Sequence, residues 1–140
     1  MNESAATPLH AAGTFDVGAR DERPWDEGEG ARLTRVRVTK TFHGEVEGAS
    51  TAELLMSTGQ VETSRAYVGF ERIVGRVGGR PGSFVLHHNA GGSGGQGFAT
   101  WLVLPDSGTG ELRGIRGRAQ ITVDPDGTHR FALDYQLPEG

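Results

Sequence analysis

The chain contains no cysteine and only one lysine, Lys40, among its 140 residues. Without cysteine there is no disulfide, no thiolate metal site and no cysteine nucleophile. Its 14 Lys and Arg residues are outnumbered by 18 Asp and Glu, and the net charge of −4 argues against nucleic-acid binding, which requires clustered cations. Residues 1–8 lack both a positive start and an apolar stretch. We therefore expect no signal peptide, no membrane span and a cytoplasmic location.

A long amphipathic helical pattern is also missing, and 23 glycines separate short apolar runs. In residues 33–43, for example, Val36, Val38, Lys40 and Phe42 share one face of an alternating run. The predicted strands cover residues 9–17, 33–43, 50–57, 66–77, 83–89, 96–104, 113–123 and 129–136, with a long loop at 18–30. Such spacing predicts an all-β protein of about eight antiparallel strands, as a barrel or a sandwich. We expect residues 1–8 to form a flexible tail and residues 9–140 a single domain.

Several segments, in order along the chain, carry a family resemblance. They include GTFDV at 13–17, VTKTF at 38–42, YVGFER at 67–72, GRPGSFVLHH at 79–88 and SGTGEL at 107–112. In these segments the chain resembles the DUF3224 proteins, a bacterial family of unknown function. The resemblance implies a closed barrel like that of the allene oxide cyclases, and so favours the barrel over the sandwich. It implies no activity and no catalytic residue, because fold alone does not determine function.

Three charged residues interrupt runs that otherwise supply apolar side chains. Lys40 is in phase with Val36 and Val38, Glu71 with Tyr67 and Ile73, and Glu53 with Thr51 and Leu55. A buried charge is costly unless it is paired. Such residues form either a structural ion pair or polar groups in an apolar pocket, with pKa values suited to proton transfer. We predict Glu71, Glu53 and Lys40 as catalytic candidates that line one internal cavity.

The predicted ligand contacts are aromatic residues and histidines, namely Tyr67, Trp101, His87, His88, Tyr135 and Trp25. His87 and His88 are adjacent on a strand, so one points inward and the other outward. No HxH or HExxH pattern is present, and we predict no metal site. Residues 92–97 match GxGxxG, but a strand follows where a nucleotide site requires a helix. We therefore predict no cofactor.

These observations favour a barrel that holds a hydrophobic small molecule, as a cofactor-free isomerase or cyclase in one hypothesis. The alternatives are a non-catalytic binding protein and a structural barrel filled by its own side chains. Two runs, 66–77 and 98–104, carry apolar residues on both faces, although a barrel needs only one apolar face. The surplus predicts a homo-oligomer, most simply a dimer.

Overall fold

The computed structural model describes residues 7–138, and these residues fold into strands and turns. The strands are β1 (Leu9–Asp26), β2 (Ala31–Gly44), β3 (Val46–Gly59), β4 (Arg65–Val77), β5 (Arg80–Ser93), β6 (Gln96–Val103), β7 (Thr109–Gly110), β8 (Arg116–Val123) and β9 (His129–Gln136). The predicted all-β class is confirmed. Residues 1–6 of the predicted tail lie outside the described residues. In residues 7–138 there is no helix of the length and apolarity that crossing a membrane requires.

Eight of the strands form a closed antiparallel barrel. Their order is β4, β3, β2, β1, β9, β8, β6, β5, and the pairing of β5 with β4 closes the ring. The short β7 pairs on the outside with Gly82 and Ser83 of β5. The contact between β6 and β8 is the narrowest in the ring, with two residue pairs, Trp101 with Ala119 and Leu102 with Arg118. The barrel predicted from the sequence is therefore confirmed.

The predicted loop at residues 18–30 is wrong, because β1 continues to Asp26. A register irregularity between Val17 and Arg20 lets the strand bend and stay paired with β2. Pro24 is tolerated there since β1 pairs with β9 only as far as Phe15, which leaves the later part of β1 at a sheet edge. The turn that was predicted as a long loop spans only residues 27–30.

The barrel interior divides into two apolar clusters. The larger cluster fills the end that contains the β2–β3 and β4–β5 turns, where Phe42, Phe84 and Phe131 pack together with Leu112 and Ile115 from the segment after β6. The smaller cluster lies toward the opposite end. It consists of Val36, Val38, Ala52 and Leu54, with Met56 and Tyr67 packed against it. One end of the barrel is thus filled by side chains, and the other end is where an opening can form.

Candidate functional site

A group of charged and polar side chains lies between the two apolar clusters. Its centre is Glu71 on β4, which is fully buried. One carboxylate oxygen of Glu71, Oε1, is 3.2 Å from Lys40 Nζ and 2.8 Å from His88 Nε2. The other oxygen, Oε2, accepts a hydrogen bond of 2.5 Å from Ser50 Oγ. We call these four residues, Lys40, Ser50, Glu71 and His88, the polar cluster.

The register of the sheet explains why these four side chains meet. Glu71 is directly paired with Ala52 on β3 and with Leu86 on β5. Ser50 and His88 lie two residues from those partners, so they share the inward face with Glu71 as diagonal neighbours. Lys40 on β2 is paired with Ser50 and reaches the carboxylate past it. The Lys40 ammonium also lies 4.6 Å from the centre of the Phe15 ring, which adds a cation–π contact.

Glu71 is held as a carboxylate in this setting. Burial is the largest single influence on its pKa and acts to raise it. The hydrogen bond from His88, the charge of Lys40 and the hydrogen bond from Ser50 together outweigh burial and lower the pKa from 4.5 to about 2. The paired charges of Lys40 and Glu71 also balance each other, so no net charge is buried by this pair.

One buried nitrogen of the polar cluster, Nδ1 of His88, has no hydrogen-bond partner among the described residues. The indole nitrogen Nε1 of Trp101 is also buried, and its N–H acts as a donor toward the Tyr67 hydroxyl. His88 and Trp101 are directly paired between β5 and β6, and their rings meet edge-on with centroids 6.4 Å apart. Tyr67 completes this group, with its ring 6.2 Å from that of His88. Burial raises the pKa of the Tyr67 hydroxyl, the nearby indole N–H of Trp101 opposes the rise, and the charge of Glu71 adds to it.

Tyr67 also lines a cavity of about 620 Å³ at the open end of the barrel, which we call the mouth. The inner wall of the mouth includes Thr34, Met56 and Ala90. The rim carries charged side chains, with three arginines and two glutamates, namely Arg20, Arg32, Arg65, Glu22 and Glu62. The volume is within the usual range of small-molecule sites, roughly 300–1,000 Å³. The mouth and the polar cluster thus lie on either side of Tyr67.

The structure brings together five of the predicted site residues. Lys40, Glu71, Tyr67, His88 and Trp101 all face the interior, and the contacts described above join them. Their predicted catalytic and ligand-binding roles stay predictions. No group of three or more His, Asp or Glu side chains suited to a metal ion occurs within residues 7–138.

The other four predicted residues lie elsewhere. Glu53 was expected to line the cavity, but it lies on the outer face. There its carboxylate forms ion pairs with Arg37 at 2.6 Å and with Arg35 at 3.2 Å. The hydrogen bond from Arg37 lowers the pKa of Glu53. The prediction assigned the phase of β3 correctly but chose the wrong face as the interior. The inward set on β3 includes small residues such as Ser50 and Ala52, so apolarity did not distinguish the faces.

His87 points outward and packs against Phe70, with ring centroids 5.5 Å apart. Tyr135 is buried in the filled end of the barrel, away from the mouth. Trp25 is 58% exposed and lines a shallow groove beside Leu33 near the rim. Within residues 7–138, none of these three side chains forms a hydrogen bond or a ring contact with the polar cluster.

Sequence reasoning missed Ser50, which donates the shortest hydrogen bond to Glu71. Its only signal was its phase with Ala52 and Leu54, and a serine in such a run is unremarkable. Gly69 was also missed. It is paired with His88 and lies between Tyr67 and Glu71 on the inward face. A Cβ at this position would collide with the backbone of Glu53 and Leu54, so only glycine lets β3 and β4 approach at the level of the site.

Comparison with known proteins agrees with this fold. The family model of DUF3224, described as a protein of unknown function, matches residues 11–135. A DUF3224 protein of unknown function from Shewanella oneidensis MR-1, known from a crystal structure, is similar with 32% sequence identity and a TM-score of 0.82. The match covers 95% of this chain and 100% of that one. No curated protein matches the chain, and the implied likeness to allene oxide cyclases stays a prediction. The chain belongs to the DUF3224 family.

Proposed function

We propose that the protein binds a hydrophobic small molecule in the mouth. The observation that carries the proposal is a cavity of about 620 Å³ whose wall includes Tyr67, a residue that adjoins the buried ring of His88 with its unpartnered Nδ1. An apolar wall with a few convergent polar groups is typical of small-molecule sites. The apolar wall comes from Met56, Tyr67 and Ala90. The nearest buried polar side chains are those of His88, whose ring lies 6.2 Å from that of Tyr67, and Trp101, whose indole N–H acts as a donor toward the Tyr67 hydroxyl.

Nile red, a neutral apolar dye that brightens in apolar surroundings, tests this proposal. We expect the wild-type protein to enhance its emission, and Ala90→Phe to abolish the enhancement because the added ring occupies the mouth. The control is Thr100→Phe, which adds the same ring on an exposed position of β6 outside the mouth. Equal enhancement by wild type and Ala90→Phe would overturn the proposal, since the dye would then bind elsewhere. Native mass spectrometry of freshly purified wild type should in addition show a bound small molecule.

A second candidate function is cofactor-independent proton transfer, as in an isomerase or cyclase. Its support is the contact between Glu71 and His88. A carboxylate that holds one imidazole nitrogen orients the ring and leaves the other nitrogen to act as a base. An isomerisation needs no further reactant, because His88 Nδ1 would take a proton from one carbon of the ligand and return it to another. Glu71 and Lys40 would remain a charged pair throughout and stabilise the imidazolium that forms.

The probe 5-nitrobenzisoxazole tests for such a base. Removal of its ring C–H proton by a base forms a nitrile, breaks the N–O bond and releases a coloured phenolate. We expect His88→Phe to slow the reaction roughly 10²-fold, the low end for a positioned general base. His87→Phe, the adjacent change on the outer face, should leave the rate unchanged. A wild-type rate equal to that of His88→Phe would remove this candidate and leave the binding function standing.

A further inference from the structure

We infer that the Tyr67 hydroxyl donates a hydrogen bond to the molecule bound in the mouth, and that this molecule carries a carbonyl oxygen to accept it. This inference rests on the proposed binding function and specifies the chemistry of the ligand. Tyr67 lines the mouth, and its ring centroid is also 6.2 Å from that of His88 in the polar cluster. The phenol of Tyr67 therefore lies at the boundary between the apolar wall of the cavity and the buried polar groups.

A tyrosine hydroxyl can both donate one hydrogen and accept. The indole N–H of Trp101, which can only donate, acts as a donor toward the Tyr67 oxygen. The register of the sheet brings the two side chains together, because Trp101 is directly paired with His88 between β6 and β5. His88 is in turn paired with Gly69, two residues from Tyr67 on β4. The protein thus engages the hydroxyl as an acceptor, and what the hydroxyl can offer a ligand is its hydrogen.

The nearby acceptors of the polar cluster do not use this hydrogen. The Glu71 carboxylate accepts from three other side chains, those of Lys40, Ser50 and His88. The Nδ1 atom of His88 has no partner among the described residues, so it does not accept from Tyr67 either. Burial and the charge of Glu71 both raise the pKa of Tyr67, so the hydroxyl keeps its hydrogen at neutral pH. Tyr67 therefore presents a neutral donor at the wall of the mouth.

A carbonyl oxygen matches this donor, because it accepts a hydrogen bond and brings no hydrogen that needs an acceptor of its own. An ammonium ion cannot accept, and an alcohol would add a further hydrogen to satisfy. A carboxylate would bring a negative charge toward Glu71, whose own charge already acts on the Tyr67 hydroxyl. A neutral ketone, aldehyde or ester on an apolar body therefore fits both the apolar wall and the donor.

Equilibrium dialysis with two probes of the same shape tests this donor. The ketone 2-acetylnaphthalene and the alkene 2-isopropenylnaphthalene share one apolar body, and a methylene group in the alkene replaces the carbonyl oxygen. We expect Tyr67→Phe to lower the ratio of ketone affinity to alkene affinity roughly five- to tenfold, or about 1–1.4 kcal/mol, as is typical of a hydrogen bond between neutral groups. Because the two probes are hydrated in the same way in every experiment, the change in this ratio between variants reports the hydroxyl alone.

Tyr135→Phe is the matched control, since it makes the same change at the only other tyrosine of the chain, which is buried in the filled end of the barrel. It should keep the wild-type ratio. Isotope-edited infrared spectroscopy of the bound ketone adds a direct readout, because a hydrogen bond lowers the frequency of the carbonyl stretch. We expect a lower frequency in wild type and in Tyr135→Phe than in Tyr67→Phe or in hexane.

An affinity ratio that Tyr67→Phe leaves unchanged would overturn the carbonyl inference, as expected if a water molecule keeps the hydroxyl hydrogen, but would leave the proposed binding function intact. Failure of both probes to bind would overturn both. If Tyr67→Phe does not fold, the infrared spectrum of the wild-type complex decides alone. A carbonyl stretch at its hexane frequency in that complex would overturn the inference.

Discussion

Glu71 and Lys40, 31 positions apart in sequence, form an ion pair of 3.2 Å inside the barrel. The Glu71 side chain is fully buried and that of Lys40 is 10% exposed. Because water cannot solvate a charge left behind at this depth, the two residues depend on each other more than a surface pair would. His88 and Ser50 satisfy the remaining capacity of the carboxylate. This mutual dependence can be measured.

Glu71→Gln should lower the free energy of unfolding by roughly 3–5 kcal/mol, the cost of leaving a buried charge without its partner. The double variant Glu71→Gln/Lys40→Met should be more stable than Glu71→Gln alone, because it removes the stranded ammonium. Glu53→Gln, on the outer face, should change stability by no more than about 1 kcal/mol. Urea unfolding at neutral pH measures all three variants. Equal losses of stability in Glu71→Gln and in the double variant would contradict this prediction. They would show that the unpaired Lys40 ammonium is not the cause of the loss.

Stability should also depend on pH through Glu71. Its pKa is about 2 in the folded protein against an ordinary value of 4.5, so the folded state binds fewer protons between these values. The stabilisation is therefore complete above about pH 4.5 and is lost as the pH falls toward 2. At about 1.36 kcal/mol per pKa unit, the loss amounts to roughly 3 kcal/mol. Urea unfolding from pH 6 to pH 2.5 should show this fall in wild type and a flatter profile in Glu71→Gln.

Alternation along the strands predicted much of the candidate site. It placed Lys40 in phase with Val36 and Val38, and Glu71 in phase with Tyr67, and all of these residues face inward in the structure. It failed for Glu53, where the phase was right but the choice of face was not. Period-two alternation separates two faces but does not say which one is inside, and only the closure of the sheet decides this.

Other features of the site depend on long-range pairing that no local pattern reveals. His87 and His88 were equivalent in sequence, and the register of β5 on β4 turned His88 inward, diagonal to Glu71. The proximity of the His88 and Trp101 rings likewise follows from the pairing of β5 with β6. The continuation of β1 to Asp26 was hidden by Pro24 and nearby charged residues, which are typical of loops but are tolerated at a sheet edge.

Ser50→Ala tests the hydrogen bond that the sequence did not predict. Ser50 Oγ donates to Glu71 Oε2 at 2.5 Å, and hydrogen bonds to charged groups contribute about 1.5–3 kcal/mol. We expect a loss of stability in that range and a rise in the pKa of Glu71, since one group that favours its charged form is gone. Carbon-detected NMR of the Glu71 carboxyl group follows the pKa directly. Thr51→Ala, an exposed neighbour on the outward face, should change neither quantity.

The outer face of β3 and β4 carries an apolar stripe that the barrel does not need. It comprises Leu55, Val68, Phe70 and Val74, each about half exposed. Leu55 is directly paired with Val68, so the stripe continues from one strand to the next. Exposed apolar patches of this kind are typical of interaction surfaces. Homodimer formation, which the two-sided apolar pattern predicts from sequence, stays a prediction, and this stripe is where we expect the contact.

Phe70→Ser tests that prediction, because Phe70 is 53% exposed and lies in the middle of the stripe. We expect light scattering at micromolar concentration to show a dimer for wild type and a monomer for Phe70→Ser. Val123→Ser is the control, since Val123 is as exposed as Phe70 but lies on β8, away from β3 and β4 in the ring. It should remain dimeric. A monomeric wild type would contradict the prediction of a dimer. If the Phe70→Ser variant remained dimeric, the interface would lie on another face of the barrel.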